Sequence, residues 1–163
     1  MEKLLKWIDT CSKLGAYLSA FSMLAIVLLI LVEIILRSLF STSTLISDEY
    51  SGYLMVGLVM LGLSYTLASG SHIRITIVAA RFKGRTSQAL DLLVILAALV
   101  LINYALYHSI RMVQDTFAYG ILADSISETP LYIPQVLIPI GLALLDLQLV
   151  ARFLRRLLSL PIP

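Results

Sequence analysis

Few side chains in this sequence have the type and setting for chemistry, and those include acids lying among apolar residues. Glu33 and Arg37 stand one helical turn apart near the end of a long apolar run, in the order that favours an i, i+4 ion pair. An acid at that depth is either a proton or ion site, or a charge neutralised by its neighbour or turned towards another subunit. A partner only four residues away favours the neutralised pair. Asp146 stands alone in the last apolar run, about two turns before Arg152, and is expected to reach a basic residue at that end of the membrane or on a partner. Asn103 is the strongly polar side chain deep in the third run, where a hydrogen bond to a neighbouring helix suits it better than a substrate does. Arg111 and Asp115 repeat the i, i+4 pairing. His72 beside Arg74 has the type for a proton relay, although a lone histidine next to a cation is more often a structural hydrogen-bonding group.

The elements that position these groups follow from composition. Of 163 residues, 60% are hydrophobic and 13% charged, and the mean hydropathy is +0.96, well outside the range of soluble domains. Between formal charges the chain offers Leu14 to Val32, Tyr50 to Ser71, Leu92 to Ile110 and Thr129 to Leu145. Each is close to the roughly 20 residues that a spanning helix needs. The expected fold is an all-α integral membrane protein, one membrane domain over 1–163, with four transmembrane helices at about 14–38, 48–70, 88–112 and 131–155. Residues 2–13 place Leu4, Trp7, Ile8 and Cys11 at helical spacing among charged faces that include Asp9. This predicts an amphipathic helix along the interface before the chain turns inward, with Trp7 at headgroup depth. The first apolar run is too long for a signal-peptide core and lacks a small-residue cleavage site after it, so it is expected to remain as a span.

The second span organises the rest. Ser47 reads as a cap, and Asp48 and Glu49 follow it as acids suited to the positive end of a helix dipole. The uncharged run then ends abruptly at His72, Arg74 and Arg81. Ten of the twelve basic residues fall on one side of the four-span arrangement, leaving Arg37 and Arg111 on the other. Because short basic loops stay cytoplasmic, both termini are expected on the inside. Gly57, Ser64 and Ala68 form a narrow stripe at i, i+7 and i+11 on this helix, small enough for another helix to approach closely, while Gly52 and Gly62 fall off it. The loop carrying Ile73, Ile75 and Ile77 is apolar enough to lie on the membrane surface or on a protein. Thr129-Pro130 reads as a cap and first-turn proline opening the fourth span, and Pro139 should bend that helix.

The exclusions are equally direct. Cys11 is the single cysteine, so neither an intrachain disulfide nor a dithiol relay can form. The sequence has no glycine-rich phosphate loop, no metal-ligand cluster and no nucleophile–base set. No enzyme, cofactor or nucleic-acid reading therefore has support.

At Asp48-Glu49-Tyr50, Gly62 and Ser69-Gly70-Ser71-His72-Ile73-Arg74 the chain resembles the small membrane subunit, the DctQ-like Q subunit, of tripartite ATP-independent periplasmic (TRAP) transporters. Glu33 with Arg37, and the stretch from Thr129-Pro130 to Pro134-Gln135, match in the same order. The resemblance implies a bacterial inner-membrane subunit that works with a large membrane subunit, a periplasmic substrate-binding protein and the surrounding lipids. It also implies ion-gradient-driven, usually sodium-dependent, uptake of organic acids such as carboxylates or sialic acids. The small subunit would then be a scaffold, with Glu33, Arg37, Asp48, Glu49, Gly57, Ser64, Ala68, His72, Arg74 and Asp146 as candidate interface residues. The rival reading is a small four-helix, proton-coupled multidrug exporter acting as a homo-oligomer through Glu33. It is disfavoured by the position of Glu33 near the end of its span, by Arg37 beside it and by the long loops.

Overall fold

The computed structural model describes residues 2–70 and 85–157. The expectations for His72, Arg74 and the Ile73–Ile75–Ile77 loop lie outside these residues. Among the described residues four stretches are long and apolar enough to cross a membrane. The helices are α1 (Glu2–Phe40), α2 (Ser47–Ala68), α3 (Arg85–Ala118), α4 (Tyr132–Gln135) and α5 (Leu137–Leu157), the last two forming one span. Helix α2 lies between α1 and α5, and α3 packs along α5. Both ends of the described chain come to one end of the bundle, here the terminal end. The loops 41–46 and 119–131 form the opposite, loop end.

The turn expected near Lys13 is not made, because α1 runs unbroken for 39 residues. No proline falls within it, and at 1.5 Å per residue it is roughly 58 Å long, far more than a bilayer core of about 30 Å. Protein covers one face of its first turns, and that face is Leu5, Ile8 and Ser12, of which only Ile8 belongs to the predicted apolar side. Leu5 and Ile8 are buried with Ala151 of α5, while Trp7 remains exposed. This contact holds the start of α1 in line with its membrane-spanning part.

Three boundaries have local causes. The cap position of α2 is Ile46, which has no side-chain hydrogen bond to offer, so Ser47 belongs to the first turn and is not the cap. Helix α3 continues to Ala118 and ends at Gly120, whose φ of +59° suits a residue without Cβ. The fourth span is interrupted at Val136, because Pro139 has no N–H to give to the Gln135 carbonyl one turn earlier. The interruption thus falls one turn before Pro139, and Val136 within it keeps helical dihedrals, φ −58° and ψ −27°.

A second apolar cluster, Leu67 with Leu145 and Leu149, joins α2 to α5, and Ala98, Leu99 and Ile102 of α3 pack on it. With Leu5, Ile8 and Ala151 it accounts for most of the buried apolar side chains.

Candidate functional site

Glu33 is fixed by its own helix and by the loop that follows. Arg37 Nε donates to Glu33 Oε1 at 2.6 Å, as the spacing predicts, and Ser43 Oγ donates to the same oxygen at 2.5 Å. Oε2 receives the Thr44 amide at 3.1 Å and the Thr44 hydroxyl at 2.5 Å. The carboxylate is buried and its acceptor positions are taken, which suits a structural anchor. Two residues of the loop it anchors, Ser41 and Leu45, have φ of +52° and +61°, a backbone region disfavoured for residues with a Cβ. Such a conformation persists where surrounding contacts over-determine it, and Glu33 supplies those contacts.

Glu49 does the same for the other loop at this end. Tyr53 Oη donates to Oε1 at 2.5 Å and Ser127 Oγ to Oε2 at 2.8 Å. Ser127 also lies 2.7 Å from Thr129 Oγ1, which is 3.3 Å from Tyr50 Oη. The start of α2 is thereby tied to the segment leading into the fourth span. Asp48 next to it is exposed.

The terminal end carries a polar seam between α1 and α5 that sequence reasoning missed. Arg155 donates to Asp9 Oδ2 at 2.7 Å, Gln148 Nε2 donates to Asp9 Oδ1 at 3.2 Å, and Ser12 Oγ donates to Gln148 Oε1 at 3.5 Å. Ser12 and Gln148 are 1% and 2% exposed. Asp9, expected on a charged outer face, therefore lies in the seam. Its sequence signal was spacing: Asp9 and Ser12 share a face with Leu5 and Ile8, and Gln148 and Arg155 are two turns apart on another. Asp91 of α3 pairs with Arg156 of α5.

Small residues set the helix crossings, although not as the stripe suggested. A methyl group built on Gly15 would lie 2.6 Å from the Leu61 carbonyl oxygen, and one on Gly141 would lie 2.5 Å from that of Met60. Ser19 Oγ donates to the Leu58 carbonyl at 2.6 Å across the same crossing, and Gly62 faces Ser19. Gly57 meets Ser22 and Leu137, and Ser64 is fully buried. The stripe does bring helices close, but these are α1 and α5 of the same chain, so Gly57 and Ser64 are not exposed to another subunit. Ala68 is half-buried at the end of the stripe. Gly52 has nothing within 4 Å.

Among the described residues Asp146 meets no arginine. Asn103 Nδ2 donates to its Oδ1 at 2.8 Å, the interhelical bond expected of Asn103. Arg111 is likewise redirected: Nε and Nη2 both reach the Tyr107 hydroxyl at 3.2 Å instead of Asp115. Among the described residues no group of His, Cys, Asp and Glu could hold a metal ion.

Residues 26–159 match the protein family described as Tripartite ATP-independent periplasmic transporters, DctQ component. No curated protein matches the chain.

Proposed function

We propose that this chain, which belongs to the DctQ component family of tripartite ATP-independent periplasmic transporters, braces the large membrane subunit of such a transporter. Family membership makes it a multi-pass transport subunit and not a member of an enzyme family. Beyond that, we read it as a scaffold in the bacterial inner membrane with both termini cytoplasmic. It would support ion-gradient-driven uptake, sodium-coupled, of organic acids such as carboxylates or sialic acids handed over by a periplasmic binding protein.

One observation carries the bracing role: Glu33, Glu49, Asp9 and Asp91 are spent on holding the bundle's own parts together. Glu33 fixes loop 41–46, Glu49 fixes loop 119–131, and Asp9 and Asp91 fix the end of α5. A site that binds and releases an ion needs ligands free to exchange. The same observation counts against the exporter, since Glu33 has four donors to lose before it can cycle a proton. The excess of basic residues on one side supports the orientation.

The test is a pull-down of the tagged full chain from its native membrane in mild detergent, followed by mass spectrometry and reconstitution. Copurification of a large polytopic subunit, with uptake of a labelled organic acid that needs both subunits, the binding protein and a sodium gradient, is the expected result. Recovery of the chain only as a homo-oligomer refutes the scaffold reading.

A further inference from the structure

Resting on the reading of this chain as a transporter scaffold, we propose that the α3–α5 face around Asn103 and Asp146 is where the large membrane subunit docks. The occupant is a transmembrane helix of that subunit that sets a hydrogen-bond donor or a cation against Asp146.

The outward faces of the bundle differ in chemistry. That of α1 is apolar, with Phe21, Leu24, Leu28, Leu31 and Ile35 exposed, and lipid tails alone cover such a face without loss. On α3 the exposed residues include Asn103, Tyr107 and Arg111, one turn apart in succession, with Tyr104 and His108 beside them. Asn103 lies near the middle of the 29-residue span Leu90–Ala118, and Asp146 near the middle of the 26-residue span Tyr132–Leu157. Their bond therefore sits close to the bilayer midplane, at the edge of the bundle. Asn103 Nδ2 already serves both the Leu99 carbonyl at 2.9 Å and Asp146 Oδ1. Asp146 Oδ2 receives no bond from the described residues. An acid at that depth facing hydrocarbon is costly, and intramembrane acids turn to protein or to a partner charge. Within the chain the cost is half met by one amide. A donor from outside completes it, and the polar column running from Asn103 to Arg111 offers that helix further contacts as it leaves the midplane.

The experiment places a photo-crosslinking residue, one at a time, at Val100 and Val150 beside the pair and at Phe21 and Leu28 on α1, in the complete transporter in native membranes. The expected result is a large-subunit adduct from Val100 and Val150, at least tenfold stronger than from Phe21 and Leu28. Asp146→Leu should weaken it several-fold and Asp146→Asn less. Adducts with the large subunit from the α1 positions alone, or lipid adducts alone from Val100 and Val150, overturn this docking surface and leave the scaffold reading standing. Absence of a large-subunit adduct at all four positions, together with a chain that purifies alone, overturns both.

Discussion

Adding one methyl group at Gly141 should weaken the bundle, while the same change at Gly52 should strengthen it. A Cβ on Gly141 would lie 2.5 Å from the Met60 carbonyl oxygen, 2.6 Å from Met60 Cβ and 2.7 Å from Met60 C. Ordinary contact begins near 3.4 Å, so α5 must move away from α2 by about 0.9 Å, or tilt, to admit it, because helix backbone cannot swing aside as a side chain does. Overpacking of this kind costs about 1–3 kcal/mol. Alanine is the better helix former by up to about 1 kcal/mol, which leaves Gly141→Ala destabilised by up to about 2 kcal/mol. At Gly52 nothing lies within 4 Å, so only the propensity acts and the change stabilises by about 0.5–1 kcal/mol. The two variants should thus differ by about 2 kcal/mol, roughly thirtyfold in the unfolding equilibrium. Cys11, half-buried and the single thiol of the chain, gives a native probe. Its reactivity is followed as SDS is titrated into the full chain in mild detergent. If Gly141→Ala unfolds at the same SDS fraction as Gly52→Ala, the close α2–α5 crossing is refuted.

Three further outcomes follow from the same contacts. Glu33→Ala should leave loop 41–46 without its four bonds and open it to proteolysis well before the helices unfold, with Glu33→Gln intermediate because an amide oxygen still accepts from Thr44; equal cleavage rates in all three proteins refute the anchor role. Arg155→Met should cost about 1–3 kcal/mol, since it strips a nearly buried partner from Asp9, whose side chain keeps 26% exposure and so escapes the full penalty. Pairing it with Asp9→Asn should recover part of that loss in a double-mutant cycle, and strict additivity of the two in the SDS titration is the contrary result. Ser64→Ala should be neutral or slightly stabilising, because the Ser64 hydroxyl is fully buried with no hydrogen-bond partner among the described residues; a loss above about 1 kcal/mol in the same titration contradicts this.

The sequence by itself determined the four spans, the ion pair of Glu33 with Arg37, the acids at the start of α2 and the family. All of these depend on neighbours along one chain segment, where 3.6 residues per turn fixes who meets whom, or on apolar length against bilayer thickness. The tertiary structure decided the rest. It turned Gly57 and Ser64 inward, set Asn103 against Asp146, drew Asp9 into a seam with Gln148 and Arg155, and kept α1 unbroken through Lys13. The physical reason lies in the solvent. In water, apolar residues mark the inward face of a helix. In a bilayer the lipid is as apolar as the packed interior, so hydropathy identifies a span without telling which side of it meets protein. That choice rests on close backbone approach at Gly15 and Gly141 and on a few interhelical hydrogen bonds, which exist only once the helices have been brought together.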